Sequence, residues 1–253
     1  MPRMTEEKLF AELRKIDTPS ITNVVATYPT NPLCLGLYNP WTENWYTDTS
    51  IRCIYPELGA VAGYAVTCVY GVPDPNYPNR LTFMDVVDAL DASKKPTILV
   101  LQQKFPSEIA TKAGLAGEIM ITSMQAVGCV GLISNGPSRD IDAIRRLNFQ
   151  LLLSGVSAGH GAMGVQAVNV PVTVGGMDIS PGEIIHMDEN GACKFPADKM
   201  EAVLTNVKDL LADEDSRLTA LRKAKTAAEV RAASSGQVYS GPEKAVKAPG
   251  RRK

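Results

Sequence analysis

Gly128-Cys-Val-Gly-Leu-Ile-Ser-Asn-Gly-Pro-Ser-Arg-Asp140 opens as a short apolar run and closes in a turn. Cys129 to Ile133 has the length and apolar density of a buried strand. Asn135-Gly-Pro137 breaks that strand, and Arg139 and Asp140 follow side by side, with Asp140 placed to open a helix. The same pattern repeats outward. Thr97-Ile-Leu-Val-Leu-Gln102 and Phe149-Gln-Leu-Leu-Leu-Ser154 read as further strands, and helices near 83–90, 116–127 and 140–147 separate them. Val61 to Val69 supplies an earlier strand. Strands alternating with helices predict an α/β fold with at least partly parallel pairing.

The flanks read differently. Leu9, Phe10, Leu13 and Ile16 fall at helical spacing over 5–16, and Asp17-Thr18-Pro19 reads as the cap and first turn of a second helix through about Thr27. Residues 28–58 show no period. Their Trp41, Trp45 and Tyr46 read either as a lid or subunit contact or as a packed irregular loop. Residues 71–79 form a proline-rich loop. From Asn169 the style changes to hairpins, built on Val170–Val174, Gly175-Gly176, Glu183–Met187 and Ala192–Phe195. Pro196 is expected to open a long C-terminal helix to about Arg231, giving one domain over 1–231. Residues 232–253, rich in Ser, Gly, Pro and Lys, have the composition of a disordered basic tail.

With 253 residues and 45% apolar content, the chain can bury a core of its own. A net charge of -1 leaves no electrostatic footprint for nucleic acid. No apolar run approaches the roughly 20 residues that span a bilayer, so no membrane association is expected. The N-terminus lacks a signal-peptide pattern, so a cytoplasmic location is expected. Five scattered cysteines, never in C-x-x-C spacing, argue against a disulfide framework or structural zinc. With only His160 and His186 available, any metal must use oxygen ligands, which favours Mg²⁺ or Mn²⁺.

Two adjacent places can carry chemistry. Gly114-Leu-Ala-Gly-Glu-Ile-Met120 lies where a helix begins, and the free amides of a first helical turn bind anions. The plainer reading makes Gly117 a turn and Glu118 a complement to the helix dipole. In the second place, Arg139 can pair with a substrate carboxylate or a developing enolate oxygen, and Asp140 can ligate a divalent cation. Alone, the pair is equally an ordinary helix-opening aspartate beside a surface arginine. His160, in Ser157-Ala-Gly-His-Gly161, reads as pocket lining or as a plain loop histidine. His186, alternating within a strand, reads as structural.

Taken together these motifs resemble the RraA-like family, which includes the 4-hydroxy-4-methyl-2-oxoglutarate / 4-carboxy-4-hydroxy-2-oxoadipate aldolases. The resemblance rests on Gly117-Glu-Ile-Met120, Gly128 through Asp140, Asn169 through Gly176, Pro181-Gly-Glu-Ile-Ile-His-Met-Asp188, Asn190-Gly191 and Pro196. It covers roughly residues 5–225. It implies a swivelling β/β/α sandwich with N-terminal helices and a long C-terminal helix, assembled as homotrimers or homohexamers with sites at subunit interfaces.

The resemblance also implies roles. Gly117, Glu118, Ile119 and Met120 would bind substrate, Arg139 would bind it and act in catalysis, and Asp140 would hold Mg²⁺ or Mn²⁺. Glu118 would steady water on the metal, and Glu214 would reach a neighbouring subunit's metal through water. An N-terminal glutamate of the aldolases falls near Asn23, so one expected carboxylate is absent. The implied activity is a metal-dependent lyase acting on small 2-oxo acids through a pyruvate enolate, by retro-aldol cleavage of 4-hydroxy-2-oxo acids, oxaloacetate decarboxylation, or both. A regulator that binds and inhibits a ribonuclease, or another reaction on the same scaffold, is the alternative. A methyltransferase reading lacks a glycine-rich S-adenosylmethionine loop.

Overall fold

The structure, a computed structural model, describes residues 4–28, 31–74, 76 and 81–234. Its centre is a run of strands that read as nearly continuous apolar sequence because both of their faces are covered. β1 is Arg52–Cys53, β2 Val61–Gly71, β3 Thr97–Lys104, β4 Cys129–Ser134, β5 Gln150–Leu153 and β6 Gly164–Val168. β7 is Val172–Val174, β8 Met177–Ile179, β9 Ile184–Asp188 and β10 Gly191–Phe195. The main sheet runs β1-β5-β4-β3-β2-β9-β10, with β6 also on β2, and β7 and β8 form a separate hairpin. β2, β3, β4 and β5 are parallel neighbours in chain order. The remaining pairings are antiparallel.

The helices are α1 Glu6–Leu13, α2 Thr18–Val25, α3 Phe83–Ala92, α4 Ser107–Ala110, α5 Glu118–Ala126, α6 Ile141–Arg146, α7 Met200–Lys223 and α8 Ala227–Ser234. Crossovers that always step the same way keep their helices on one face of a sheet. Val86 and Leu90 of α3, Ile121 and Met124 of α5 and Ile144 of α6 accordingly pack on Val66, Leu99, Leu132 and Leu151. The first half of β2 and strands β9 and β10 are covered on that side by α1, α2 and α7, through Leu13, Val24, Val203 and Val207. On the opposite face Val172, Val174, Met177 and Ile179 of the small hairpin pack on Ala65, Ile98, Val100 and Ile133. The result is the β/β/α layering expected. The hairpin turns on Gly175 and Gly176, both with positive φ (54° and 73°), which only a primed turn requires.

Residues 31–58, within the stretch that showed no period, are tied to the sheet. Thr47 N donates to Ala192 O and Lys194 N to Trp45 O, so this stretch lies along β10. A few residues on, β1 pairs with β5 at the other end of the sheet. The segment therefore joins the two sheet edges. Trp45 is buried and stacks with Tyr38 at 5.7 Å, which favours the packed-loop reading, while Trp41 is exposed. Two strands escaped the sequence. β1 is too short to show a period, and β6 is half-buried at every position but the exposed Gln166 instead of alternating cleanly.

The C-terminal helix is corrected. It begins at Met200, after a 3-10 turn at Ala197–Lys199, and stops at Lys223 rather than continuing to 231. Thr226 N donates to Glu229 Oε2 and Glu229 N to Thr226 Oγ1, a reciprocal cap that starts a new helix. Of the expected disordered tail, 232–234 belong to α8 and 235–253 lie outside the described residues. Asp140 opens α6 as expected: it stands at the N-cap, and Ile144 N donates to Asp140 O at 3.0 Å to close the first turn. Among the described residues no helix is long and apolar enough to cross a membrane.

Candidate active site

β3, β4 and β5 end on the same side, and the loops that leave them are laced together there. In open α/β sheets this carboxyl edge is where ligands bind. Gly114 N donates to Gly159 O (2.9 Å), Leu115 N to Pro137 O (2.9 Å), Arg139 N to Ala116 O (3.2 Å), Ser138 N to Gly155 O (3.2 Å) and Ser157 N to Ser138 O (2.9 Å). The buried Ser138 hydroxyl adds a bond to Ala116 O. Three loops thus form one crest, with little freedom to shift relative to one another.

Asp140 sits on this crest in the left-handed region, at φ 57° and ψ 35°. Aspartate tolerates that region better than most residues, yet it remains a strained choice of the kind found at functional sites. The strain re-aims the carboxylate. Asp140 makes no side-chain cap on α6; its Oδ2 instead accepts the Glu118 N–H at 3.0 Å, capping α5. Arg139 Nε lies 3.7 Å from the same oxygen, and both side chains are about two-fifths exposed or slightly less. A Cβ on Gly117 would stand 2.5 Å from Asp140 Oδ2 and 3.1 Å from Arg139 Nε. The missing side chain at Gly117 is what lets the pair lie over the helix start.

Gly117 itself is extended and offers no side-chain cap to α5. The Glu118 amide is taken by Asp140, which leaves the Ile119 and Met120 amides at the open end of a nine-residue helix. Unpaired amides and the helix dipole make that end a receptor for a carboxylate. The Glu118 side chain is exposed, the Ile119 side chain projects at 84% exposure, and Met120 leans on the core beneath.

The other expected residues are placed as follows. His160 is exposed on the third loop of the crest, one residue beyond the anchored Gly159 carbonyl, with its Nδ1 3.1 Å from Gly161 O. Asn23 is on α2, at the other half of the sheet, where its carbonyl accepts from Cys34 Sγ. Glu214 is on α7, which packs on α1 and α2 rather than on the crest of its own protomer. His186 is structural: its Nε2 faces Leu13 O (3.0 Å) and its Nδ1 faces Thr18 Oγ1 (2.9 Å). Burial holds its pKa below the ordinary value. Thiol chemistry has no support. Burial pushes Cys53 up to about 11 and raises Cys34, Cys68, Cys129 and Cys193, so the nucleophilic thiolate is disfavoured at each.

No group of three or more His, Cys, Asp or Glu side chains is gathered for a metal among the described residues. A single hard carboxylate still fits Mg²⁺, which keeps most of its waters and binds through one or two carboxylates plus substrate oxygens. Asp140 meets that requirement: Oδ2 holds the Glu118 amide and faces Arg139, while Oδ1 has no hydrogen bond to a described residue.

The sequence model of the RraA-like family, described as Aldolase/RraA, matches residues 39–193, more than half of the chain and the whole crest. The chain belongs to the RraA-like family. A protein of Halalkalibacterium halodurans named "Putative 4-hydroxy-4-methyl-2-oxoglutarate aldolase" is 32% identical over 108 residues, 42% of this chain and 51% of its own length. A protein of the same name from Azotobacter vinelandii is 29% identical over 112 residues, 44% of this chain and 67% of its own. This RraA-like chain therefore spans about half the length of the first of these relatives and two-thirds of the second. An uncharacterized protein from Pseudomonas syringae has the same fold, with a TM-score of 0.68 over 92% of this chain and 96% of its own at 20% identity. RraAS2 of Streptomyces coelicolor, described as an unusual member of the RNase ES inhibitor RraA protein family, gives 0.62 over 84% and 96% at 17% identity. Identities this low speak for the fold alone.

The sequence singled out Gly117, Arg139 and Asp140, and the structure brings them together. It did not single out Ser157 or Lys112, which tie the third loop to the crest: Ser157 Oγ lies 2.9 Å from Lys112 O and 3.2 Å from Gly159 O. Serine within a glycine-rich loop was the available signal.

Proposed function

We propose that the crest is a divalent-metal-assisted lyase site that breaks a carbon–carbon bond in a small 2-oxo acid, releasing pyruvate through its enolate. The observation that carries this reading is Asp140: strained backbone, carboxylate held at the open end of α5 by the Glu118 amide, guanidinium of Arg139 alongside. The 2-oxo acid carboxylate sits on the Ile119 and Met120 amides. Arg139 then presents a fixed positive charge to the C2 oxygen as negative charge develops there. Asp140 holds the cation, which when bound supplies Lewis-acid polarisation of that oxygen. Glu118, exposed beside them, is placed to steady a proton-carrying water. The names of the aldolase relatives support the substrate class. Retro-aldol cleavage of 4-hydroxy-2-oxo acids and decarboxylation of oxaloacetate both generate the same enolate, so one site serves either. Glu214 joins from a neighbouring subunit in a trimer or hexamer.

The test is pyruvate release from a panel of 4-hydroxy-2-oxo acids and oxaloacetate, with Mg²⁺ and then with EDTA. Activity that requires Mg²⁺ and falls at least about 100-fold in both Asp140→Ala and Arg139→Ala is expected. Full activity in both variants sinks the assignment.

A further inference from the structure

The proposed chemistry uses Arg139 and Asp140 and leaves the root of their turn without a role. The paired ladder of β3 and β4 ends at Leu101 and Ser134. One residue later the Asn135 side chain stands in for backbone. Its Oδ1 accepts from Gln103 N at 2.6 Å, and its Nδ2 donates to Gln103 O at 3.1 Å. A side-chain amide can do both, and only one of its two orientations sets acceptor on N–H and donor on carbonyl. The chain thus leaves the sheet at residue 135 while the backbone of the buried Gln103 stays paired. Gln103 holds the other flank as well, since its Nε2 donates to Ala110 O of α4 at 2.7 Å.

From Asn135 onward the turn is zipped to the segment that opens α5. Gly136 N donates to Ser134 Oγ at 3.1 Å. A Cβ on Gly136 would run into Leu115 Cδ1 and stand 3.0 Å from Gln103 Nε2, so nothing there can slide. Pro137 O accepts from Leu115 N, the Ser138 hydroxyl and Arg139 N both donate to Ala116 O, and Asp140 Oδ2 accepts from Glu118 N. The two segments advance together, 115 to 118 beside 137 to 140. A seam with no slack passes a shift at its root on to its end.

Resting on the lyase reading for its kinetic consequence, we infer that Asn135 is a positioning residue: its clasp on Gln103 sets Arg139 and Asp140 over the start of α5. The Ile119 and Met120 amides belong to α5 and do not hang from residue 135. The 2-oxo acid carboxylate therefore keeps its receptor when the clasp opens. Arg139 and Asp140 do hang from it, and with them the stabilisation of charge developing at the C2 oxygen. An interaction made chiefly in the transition state shows in kcat and leaves KM almost unmoved.

Asn135→Asp opens the clasp at nearly constant shape. Its carboxylate still accepts from Gln103 N, but it has no hydrogen for Gln103 O and sets a negative charge against that carbonyl. Two measurements on the full chain decide the matter. Amide hydrogen exchange is expected to quicken about tenfold at Leu115 and Glu118, the fold-change of one lost hydrogen bond, while Leu99 and Ile133 of the ladder keep the parent rates. Pyruvate release at saturating Mg²⁺ is expected to show kcat lower by about tenfold with KM within about twofold. Asn135→Ala, which removes both bonds, is expected to move exchange and kcat further in the same directions. Parent-like exchange at Glu118 overturns the inference, and so does a loss of kcat/KM carried by KM. Exchange that quickens equally along the ladder marks a merely structural asparagine and overturns it too. A parent that releases pyruvate from no substrate overturns the lyase reading instead, and Glu118 exchange then still decides whether Asn135 sets the seam.

Discussion

The carboxylate of Asp140 and the backbone amide of Glu118, 3.0 Å apart, join the start of one helix to the loop before another. Asp140 stands immediately before α6, yet it caps α5, twenty-two residues earlier in the chain. The left-handed backbone at Asp140 makes the exchange possible. It turns the carboxylate away from its own helix and across the crest, beside Arg139. Two crossover units of the sheet are thus locked to each other at the point where the open start of α5 meets the Asp140 carboxylate.

Gly117→Ala separates site geometry from folding. Gly117 has φ −122° and ψ −177°, which alanine adopts without strain, so the backbone is no obstacle. The new methyl group would stand 2.5 Å from Asp140 Oδ2 and force that carboxylate off the Glu118 amide. Displacement of about 1 Å at a reacting centre lowers the rate on the order of 100-fold. We expect that loss in Mg²⁺-dependent pyruvate release, with the melting temperature within about 4 °C of the parent. A variant that keeps its activity would show that the 117–140 contact is not catalytic.

Asp140→Asn tests the charge without the shape. Asparagine also tolerates the left-handed region, and its amide oxygen can still accept from Glu118 N–H. Stability measured by urea unfolding is expected to change by no more than about 1 kcal/mol. Titration with Mg²⁺ is expected to produce no activation, since a neutral amide is a poor partner for a hard cation.

Much of this architecture is legible because buried parallel strands advertise themselves. Thr97–Gln102 and Cys129–Ile133 are apolar without alternation, and their helices carry clear periods, so the sheet and its crest follow from the sequence. Gly117, Arg139 and Asp140 were legible as residue types at the ends of those strands. Their mutual geometry was not, because capping of α5 by Asp140 is a contact between loops with no local signature. The break at Ala224 was written in Thr226-Ala-Ala-Glu229, a capping pattern hidden inside a sequence that otherwise reads as continuous helix. β1 was illegible for the opposite reason: two residues, paired only because residues 46–53 must bridge the sheet edges, show no pattern at all.

His186 gives stability a pH dependence near neutrality. Burial lowers its pKa below 6.5, so in the native state the ring stays neutral while the unfolded chain takes up a proton first. Where the unfolded state binds more protons, stability rises with pH. This contribution is fully present above about pH 6.5 and is lost as pH falls below it, by at most about 1.4 kcal/mol per pH unit. Urea midpoints at pH 7.5 and 5.5 are expected to fall in the parent and to fall less in His186→Gln. Equal slopes in the two proteins would place the acid sensitivity elsewhere.

Gln150 holds the segment from β1 to β2 against the sheet, and its replacement by a residue of similar size isolates that role. Its side chain is fully buried on β5. Nε2 donates to Tyr55 O and to Gly59 O, both at 3.0 Å, while Oε1 accepts from Leu151 N and from Cys53 Sγ. Gln150→Leu preserves volume and adds apolar surface, which by area alone should stabilise. It also removes one of the two donors to Tyr55 O, which keeps Leu58 N at 3.1 Å, and the side-chain donor to Gly59 O, a carbonyl that costs about 1–3 kcal/mol when left unsatisfied. The second effect wins: we expect a net loss of about 1–2 kcal/mol in urea unfolding, with faster amide exchange confined to residues 52–60. The Tyr55 hydroxyl bond to Ile141 O (2.6 Å) links that same segment to α6, one residue from Asp140. Pyruvate release should therefore fall with the loosened segment, by less than in Gly117→Ala because the carboxylate itself is untouched.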